Sequence, residues 1–215
     1  MQAKKASESR SSAEEKTAER IVAAATKLFA ERGFDGTSTK EICAAADVNI
    51  AAIHYHFGSK EALHSHIIES FGGFRLQSVQ RILALPESKD ELKLRLEMFL
   101  NEWLDVWIAT PDLCRIVQTE AEMLNARSEA VFRNTFLKVF ETLVSFITHA
   151  KKKNFIAADI DARIAARSLF SQLVHQTRTD KLVKKFYGIS LRDANYRKAW
   201  VEQTSRAFLC GTRTK

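Results

Sequence analysis

The side chains best suited to chemistry in this chain are its histidines, and their spacing limits what they can do. His54 and His56, and again His64 and His66, stand two residues apart. On a helix such side chains point about 200° apart, so neither pair can close on one ion; helical zinc pairs sit three or four residues apart. No metal site is expected. Catalysis finds no support either, because the chain has no glycine-rich phosphate loop, no nucleophile elbow and no paired carboxylates with a histidine. The reading is a non-enzyme without a cofactor. What the stretch around His54 can do is bind. Tyr55 and His56 offer hydroxyl and imidazole groups to phosphates or base edges, and Ile50, Ala51 and Ala52 can touch thymine methyls without forming bidentate pairs.

Those residues need a scaffold, and residues 38–60, STKEICAAADVNIAAIHYHFGSK, spell one. Ser38 followed by Glu41 is a capping box, so Ser38 is the expected N-cap of a short helix. Ile42, Ala45 and Ala46 give that helix an apolar stripe. Asp47 sits in the turn, where a positive φ is expected. Asn49 is a good cap for a second helix over Ile50–Phe57. Gly58 closes this helix, and Ser59 caps the next. Helix, tight turn and helix make a helix-turn-helix, whose second helix enters the major groove start-first. A first helix from about Ser12 to Arg32 supports it, with Ile21, Ala25, Leu28 and Phe29 on one face, Gly33 ending it in the left-handed region and Phe34 folding back.

From Ile21 to Leu63 the chain resembles the DNA-binding domain of the TetR family of bacterial transcriptional regulators. The resemblance is carried by Ala25, Leu28, Phe29, Gly33, Phe34, Thr37, Ser38, Thr39, Ile42, Cys43, Ala46, Asp47, Val48, Ile53, Tyr55, His56, Phe57, Ser59, Lys60 and Leu63. Asp47 stands where glycine is common, His54 where tyrosine is usual, and Ile50 where lysine, arginine or proline often sits. The resemblance implies DNA contacts from Thr39, Lys40, Asn49, Ile50, Ala51, Ala52, His54, Tyr55, His56 and Lys60. A lysine in the first turn of a helix opposes the helix dipole, so Lys60 is expected to have a phosphate partner.

Bulk numbers bound the rest. The chain has 215 residues, 46% of them hydrophobic, two prolines and seven glycines. With long stretches of helical periodicity, this favours an all-α protein of about nine helices. The domains expected are a disordered N-terminal arm over 1–11, a DNA-binding domain over 12–66 and a ligand-binding and dimerisation domain over 67–215. The net charge of +7 suits a nucleic-acid partner. It is misplaced for the purpose, however. Residues 1–60 hold nine basic and eight acidic side chains, and residues 150–215 hold fifteen and five. Cys43, Cys114 and Cys210 are odd in number and far apart, which predicts no disulfide framework and a reducing, cytoplasmic setting. No stretch approaches the roughly 18–20 apolar residues of a membrane span, so no membrane partner is expected. The first residues lack the apolar core of a secretory signal.

Further along, Gly72–Gly73 is expected to interrupt the fourth helix, whose apolar face is Leu63, Ile67, Ile68, Phe71 and Phe74. Ser88 and Glu91 form a second capping box for a helix to about Thr110. Pro111 starts the next. One helix is expected from about Arg127 to Lys153, another from a cap at Asp159 or Asp161 to Tyr187, and a last one from Ser190 or Arg192 to Cys210. Aromatic and methionine side chains (Met98, Phe99, Trp103, Trp107, Met123, Phe132, Phe136, Phe140), with Gln118, His149 and His175 as polar lining, are the candidate pocket for a small, partly hydrophobic effector. The resemblance implies that the last two helices pair with a second copy through Ala166, Leu169, Phe170, Leu173, Trp200 and Phe208. A two-fold dimer would then require a palindromic operator. The functional expectation is a ligand-responsive homodimeric repressor. The alternative is a helical interaction or small-molecule-binding protein that has lost DNA binding, motivated by the apolar Ile50–Ala52 and the weakly charged domain.

Overall fold

The computed structural model describes residues 2–123 and 126–211, with side chains for 14–123 and 128–210. Its elements are all helical: α1 Gln2–Arg32, α2 Thr39–Ala46, α3 Ile50–Phe57, α4 Lys60–Ile82, α5 Lys89–Ala109, α6 Pro111–Met123, α7 Ala126–Asn134, α8 Phe136–Lys152, α9 Ala162–Tyr187 and α10 Ala194–Gly211. The helical backbone of α1 begins at Gln2 and not at Ser12, since no proline or glycine breaks the stretch before it. The side chains of the expected N-terminal arm, Lys4, Lys5 and Arg10 among them, lie outside those described.

The chain separates into two compact units. One comprises Met1–Gly73 and Asp112–Arg133; the other comprises Phe74–Pro111 and Asn134–Lys215. In the first unit, Ile21, Ala25, Phe29, Ile42, Cys43, Ala46, Ile53, Leu63, Ile67 and Ile68 are buried. The buried stripe of α2 is therefore Ile42–Cys43–Ala46, and Ala45 is exposed. Here i, i+1 and i+4 set the face that α1 covers, one step round from the stripe expected. In the second unit, α5, α8, α9 and α10 enclose a core that includes Leu96, Phe99, Leu100, Leu104, Leu143, Phe146, Leu169 and Leu173. Truncating Phe99, which is fully buried, to alanine should cost about 3–5 kcal/mol.

Other departures follow from packing. α4 passes through Gly72–Gly73 without interruption, and a Cβ at Gly73 would meet nothing within 4 Å. Phe74 is exposed; the neighbouring Arg75 takes the buried position, pairing with Glu102 beneath the Trp103 ring. The helix expected over 127–153 is divided at Thr135, whose φ of −123° and ψ of −79° leave the helical region. The last helix starts at Ala194, because Asp193 caps it by accepting from the Tyr196 N–H. Ser190 is occupied elsewhere: its hydroxyl donates to the buried Asp180 carboxylate, which also accepts the Leu191 N–H at 2.7 Å. Asp161, not Asp159, caps α9 by accepting from the N–H groups of Arg163 and Ile164.

Candidate nucleic-acid interface

Local hydrogen bonding sets the two short helices of the first unit. The Ser38 hydroxyl oxygen accepts the Glu41 N–H at 3.2 Å, and the Glu41 carboxylate accepts the Ser38 N–H at 2.9 Å. The Ser38 N–H, then its hydroxyl, and to a lesser degree Arg32, hold the Glu41 carboxyl below its ordinary range. Asp47 stands at φ 53° and ψ 55°, so the chain leaves α2 in the left-handed region, and the Val48 N–H returns to the Cys43 carbonyl at 3.0 Å. Asn49 caps α3 by accepting the Ala52 N–H at 3.0 Å. Gly58 closes α3 at φ 81°. Cys43 is buried, and desolvation pushes its thiol up, so it remains a neutral packing residue and not a thiolate.

Ile53 is fully buried against this frame, and its burial decides which face of α3 looks outward. Ile50, Ala51, His54 and Tyr55 are exposed, and at 100° per residue they share one sector away from Ile53. Ile50 is 51% and Tyr55 71% exposed. Ala52 and His56 flank this sector half-buried, with the His56 ring edge-on to Tyr55 at 5.0 Å. Lys40 is exposed on α2; Thr39 is half-buried at the start of the same helix.

Two residues expected to face DNA are engaged within the fold. The Lys60 ammonium donates to the carbonyls of Phe34 and Thr37 at 3.1 and 2.9 Å and lies 4.1 Å from the centre of the Phe34 ring. This supplies an internal reason for a lysine in the first turn of α4. His54 donates from Nδ1 to the Gly58 carbonyl at 2.7 Å while remaining exposed.

Some positioning residues were missed by sequence reasoning. Thr37 is buried, and its hydroxyl donates to the Gly33 carbonyl at 2.9 Å. At Gly36 a Cβ would come within 2.4 Å of the Arg32 carbonyl oxygen, so only glycine fits. His64 is buried against Phe29 and Phe34 and lies 3.6 Å from the buried Glu120 carboxylate. The available signal was a polar residue on an otherwise apolar stripe: His64 falls four before Ile68, and Arg75 falls midway between Phe71 and Val79.

The candidate pocket set separates. Phe99, Trp103 and Phe140 gather around Phe170, with ring centres 5.0–6.1 Å from it. Phe140 and His175 also line an open groove of about 570 Å³ with Arg167 and Arg178. Trp107 lies under Arg192, and Phe136 is half-buried on α8. Met98 is exposed in the same unit. Gln118, Met123 and Phe132 belong to the other unit. His149 joins neither set; its Nε2 meets the Pro86 carbonyl at 3.1 Å.

The expected dimer residues split likewise. Ala166, Leu169 and Leu173 are buried in the core of the second unit, Leu169 also bordering a groove beside α10. The outward row of α9 is displaced by one step, to Ile164, Ser168 and Gln172. With Thr204, Ala207 and the partly buried Phe208 of α10, these line a second groove. Phe170 and Trp200 are partly buried against the core.

Residues 21–67 match the family model described as "Bacterial regulatory proteins, tetR family". Over 202 residues the chain is 26% identical to the HTH-type transcriptional repressor NicS of Pseudomonas putida, covering 93% of each. It is 28% identical over 155 residues to the HTH-type transcriptional regulator UidR of Escherichia coli, covering 71% of this chain and 76% of that protein. Among solved structures, GusR of Salmonella enterica superposes with a TM-score of 0.64 at 28% identity, covering 91% of this chain and 94% of that one.

Proposed function

We propose that this chain, whose residues 21–67 match the TetR family model, is a TetR-family repressor that binds a palindromic operator as a homodimer and is released by a small, partly hydrophobic effector. The observation that carries the reading is the outward face of α3. Two capped turns and one fully buried isoleucine hold Ile50, Ala51, His54 and Tyr55 clear of the rest of the first unit, as a groove-entering helix requires. Lys40, Thr39 and Asn49 flank that face as backbone contacts, with Ala52, His56 and Lys60 at its margin.

Two features of the second unit support the remaining parts. Phe140 and Phe170, backed by Phe99 and Trp103, provide an apolar wall of the groove beside Arg167 and His175 for an aromatic or aliphatic effector. The outward row Ile164, Ser168 and Gln172 with Phe208 offers a mixed apolar and polar face for a second copy, beside the buried row. Two copies related by a two-fold axis set two α3 helices about 34–36 Å apart or a multiple of it. An effector that favours another spacing would shift the population away from the DNA-bound form. Gly72–Gly73, within α4, would let that helix bend.

The test is selection of duplexes from a random pool by the full-length protein, followed by sedimentation of the complex. An enriched inverted repeat bound by two subunits is the expected result. Failure to enrich any duplex would instead favour a helical interaction protein, the reading that the apolar Ile50 also suits.

A further inference from the structure

The outward face of α3 has an unusual chemistry for a reading surface. Ile50–Phe57 contains no Arg, Lys, Asn or Gln, so the commonest bidentate contacts to guanine and adenine are not available from this helix. Its exposed first turn offers Ile50 and Ala51. Asn49, just before it, has its carboxamide oxygen committed to the Ala52 N–H. Of the groups that base pairs show in the major groove, only the thymine C5-methyl is apolar. A half-exposed β-branched side chain there loses water favourably against a methyl and unfavourably against a donor or acceptor left without a partner.

We infer that Ile50 and Ala51 are specificity-determining residues that read thymine methyl groups, so that the operator is A·T at the base pairs under the start of α3. This inference rests on the DNA-binding reading and adds what the helix recognises.

The experiment starts from the duplex enriched by the full-length protein. Each thymine is replaced singly by deoxyuridine, which removes the methyl and keeps every pairing group. Affinity should fall about fourfold at one or two positions per half-site, the worth of one buried methyl, and stay unchanged elsewhere. Ile50→Ala should bind the thymine duplex about fourfold more weakly and show no further loss on the uracil substitution that Ile50 reads. That non-additivity assigns the methyl to the residue. Ile50 is exposed, so the variant should keep the circular dichroism and melting of the wild type. A site led by G·C at these positions, or a thymine site indifferent to every uracil, overturns the inference and leaves DNA binding standing. A protein that enriches no duplex removes both.

Discussion

The outward faces of α3 and α9 are opposite in kind. α3 presents Ile50, Ala51, His54 and Tyr55; α9 presents Arg163, Arg167, Arg178, Lys181, Lys184 and Lys185. The helix proposed to read DNA is therefore not the basic helix. Part of the charge on α9 has a reason inside the fold, since Lys184 and Lys185 lie in its last turn, where the carbonyl end of the helix dipole favours cations. The lesson is that a surplus of lysine and arginine reports where charge is tolerated. A reading face is recognised by side chains shaped for base edges and held clear of the core.

The contrast can be attacked in order of expected effect. Lys60→Ala should act first on stability, lowering it by about 2 kcal/mol in chemical denaturation, because the Phe34 and Thr37 carbonyls lose a charged donor. Unchanged stability, with a salt slope smaller by about one phosphate contact, would return Lys60 to the DNA backbone. Tyr55→Ala should leave the fold intact, the ring being 71% exposed, and weaken operator binding about tenfold. Normal binding by this variant would show that the face of α3 is misread.

Lys40→Ala should cost a few-fold in affinity and reduce the salt slope by about 0.9, the signature of a single phosphate contact. Acid should loosen the scaffold itself. The Glu41 carboxyl is lowered in the folded chain, so its contribution is present above the ordinary value near 4.5 and is lost as the pH falls through the lowered one. Glu41→Gln should remove that part of the acid transition, seen as amide exchange in α2 as the pH falls below the ordinary carboxylate value. Smallest of all, Arg167→Ala with Arg178→Ala should change operator affinity by less than about twofold. A large loss there would make α9 a DNA-facing helix and end the contrast.

What the sequence made legible were features written in single residues. The Ser38–Glu41 box, the left-handed Asp47, the Asn49 cap, and the glycines at 33 and 58 each act through a local hydrogen bond or a positive φ. Ser88 and Asp161 belong with them. Features decided by neighbours distant in sequence were not legible. Little local marks Thr135 as a break; it falls on the i, i+4 row Val131, Thr135 and Val139, which reads as one helix. The buried row on α9 could not be told from its outward row, because Ala166 and Ala165 differ only in which helix covers them. Phe74 and Arg75 exchanged their expected places because Glu102 and Trp103 offer the guanidinium both a charge and a ring. Lys60 was legible as an anomaly, but its partners, more than twenty residues earlier, were not.

The tether between His54 and the Gly58 carbonyl also bears on how fast and how cleanly the helix engages a surface. Holding a side chain in one rotamer on association opposes binding by about 0.5–1.5 kcal/mol. For His54 that loss of freedom has already occurred during folding, so on the proposed reading the ring would meet DNA preorganised. Loosening the turn at Gly58 would leave every contact group in place and still shorten the lifetime of the complex, through motion alone.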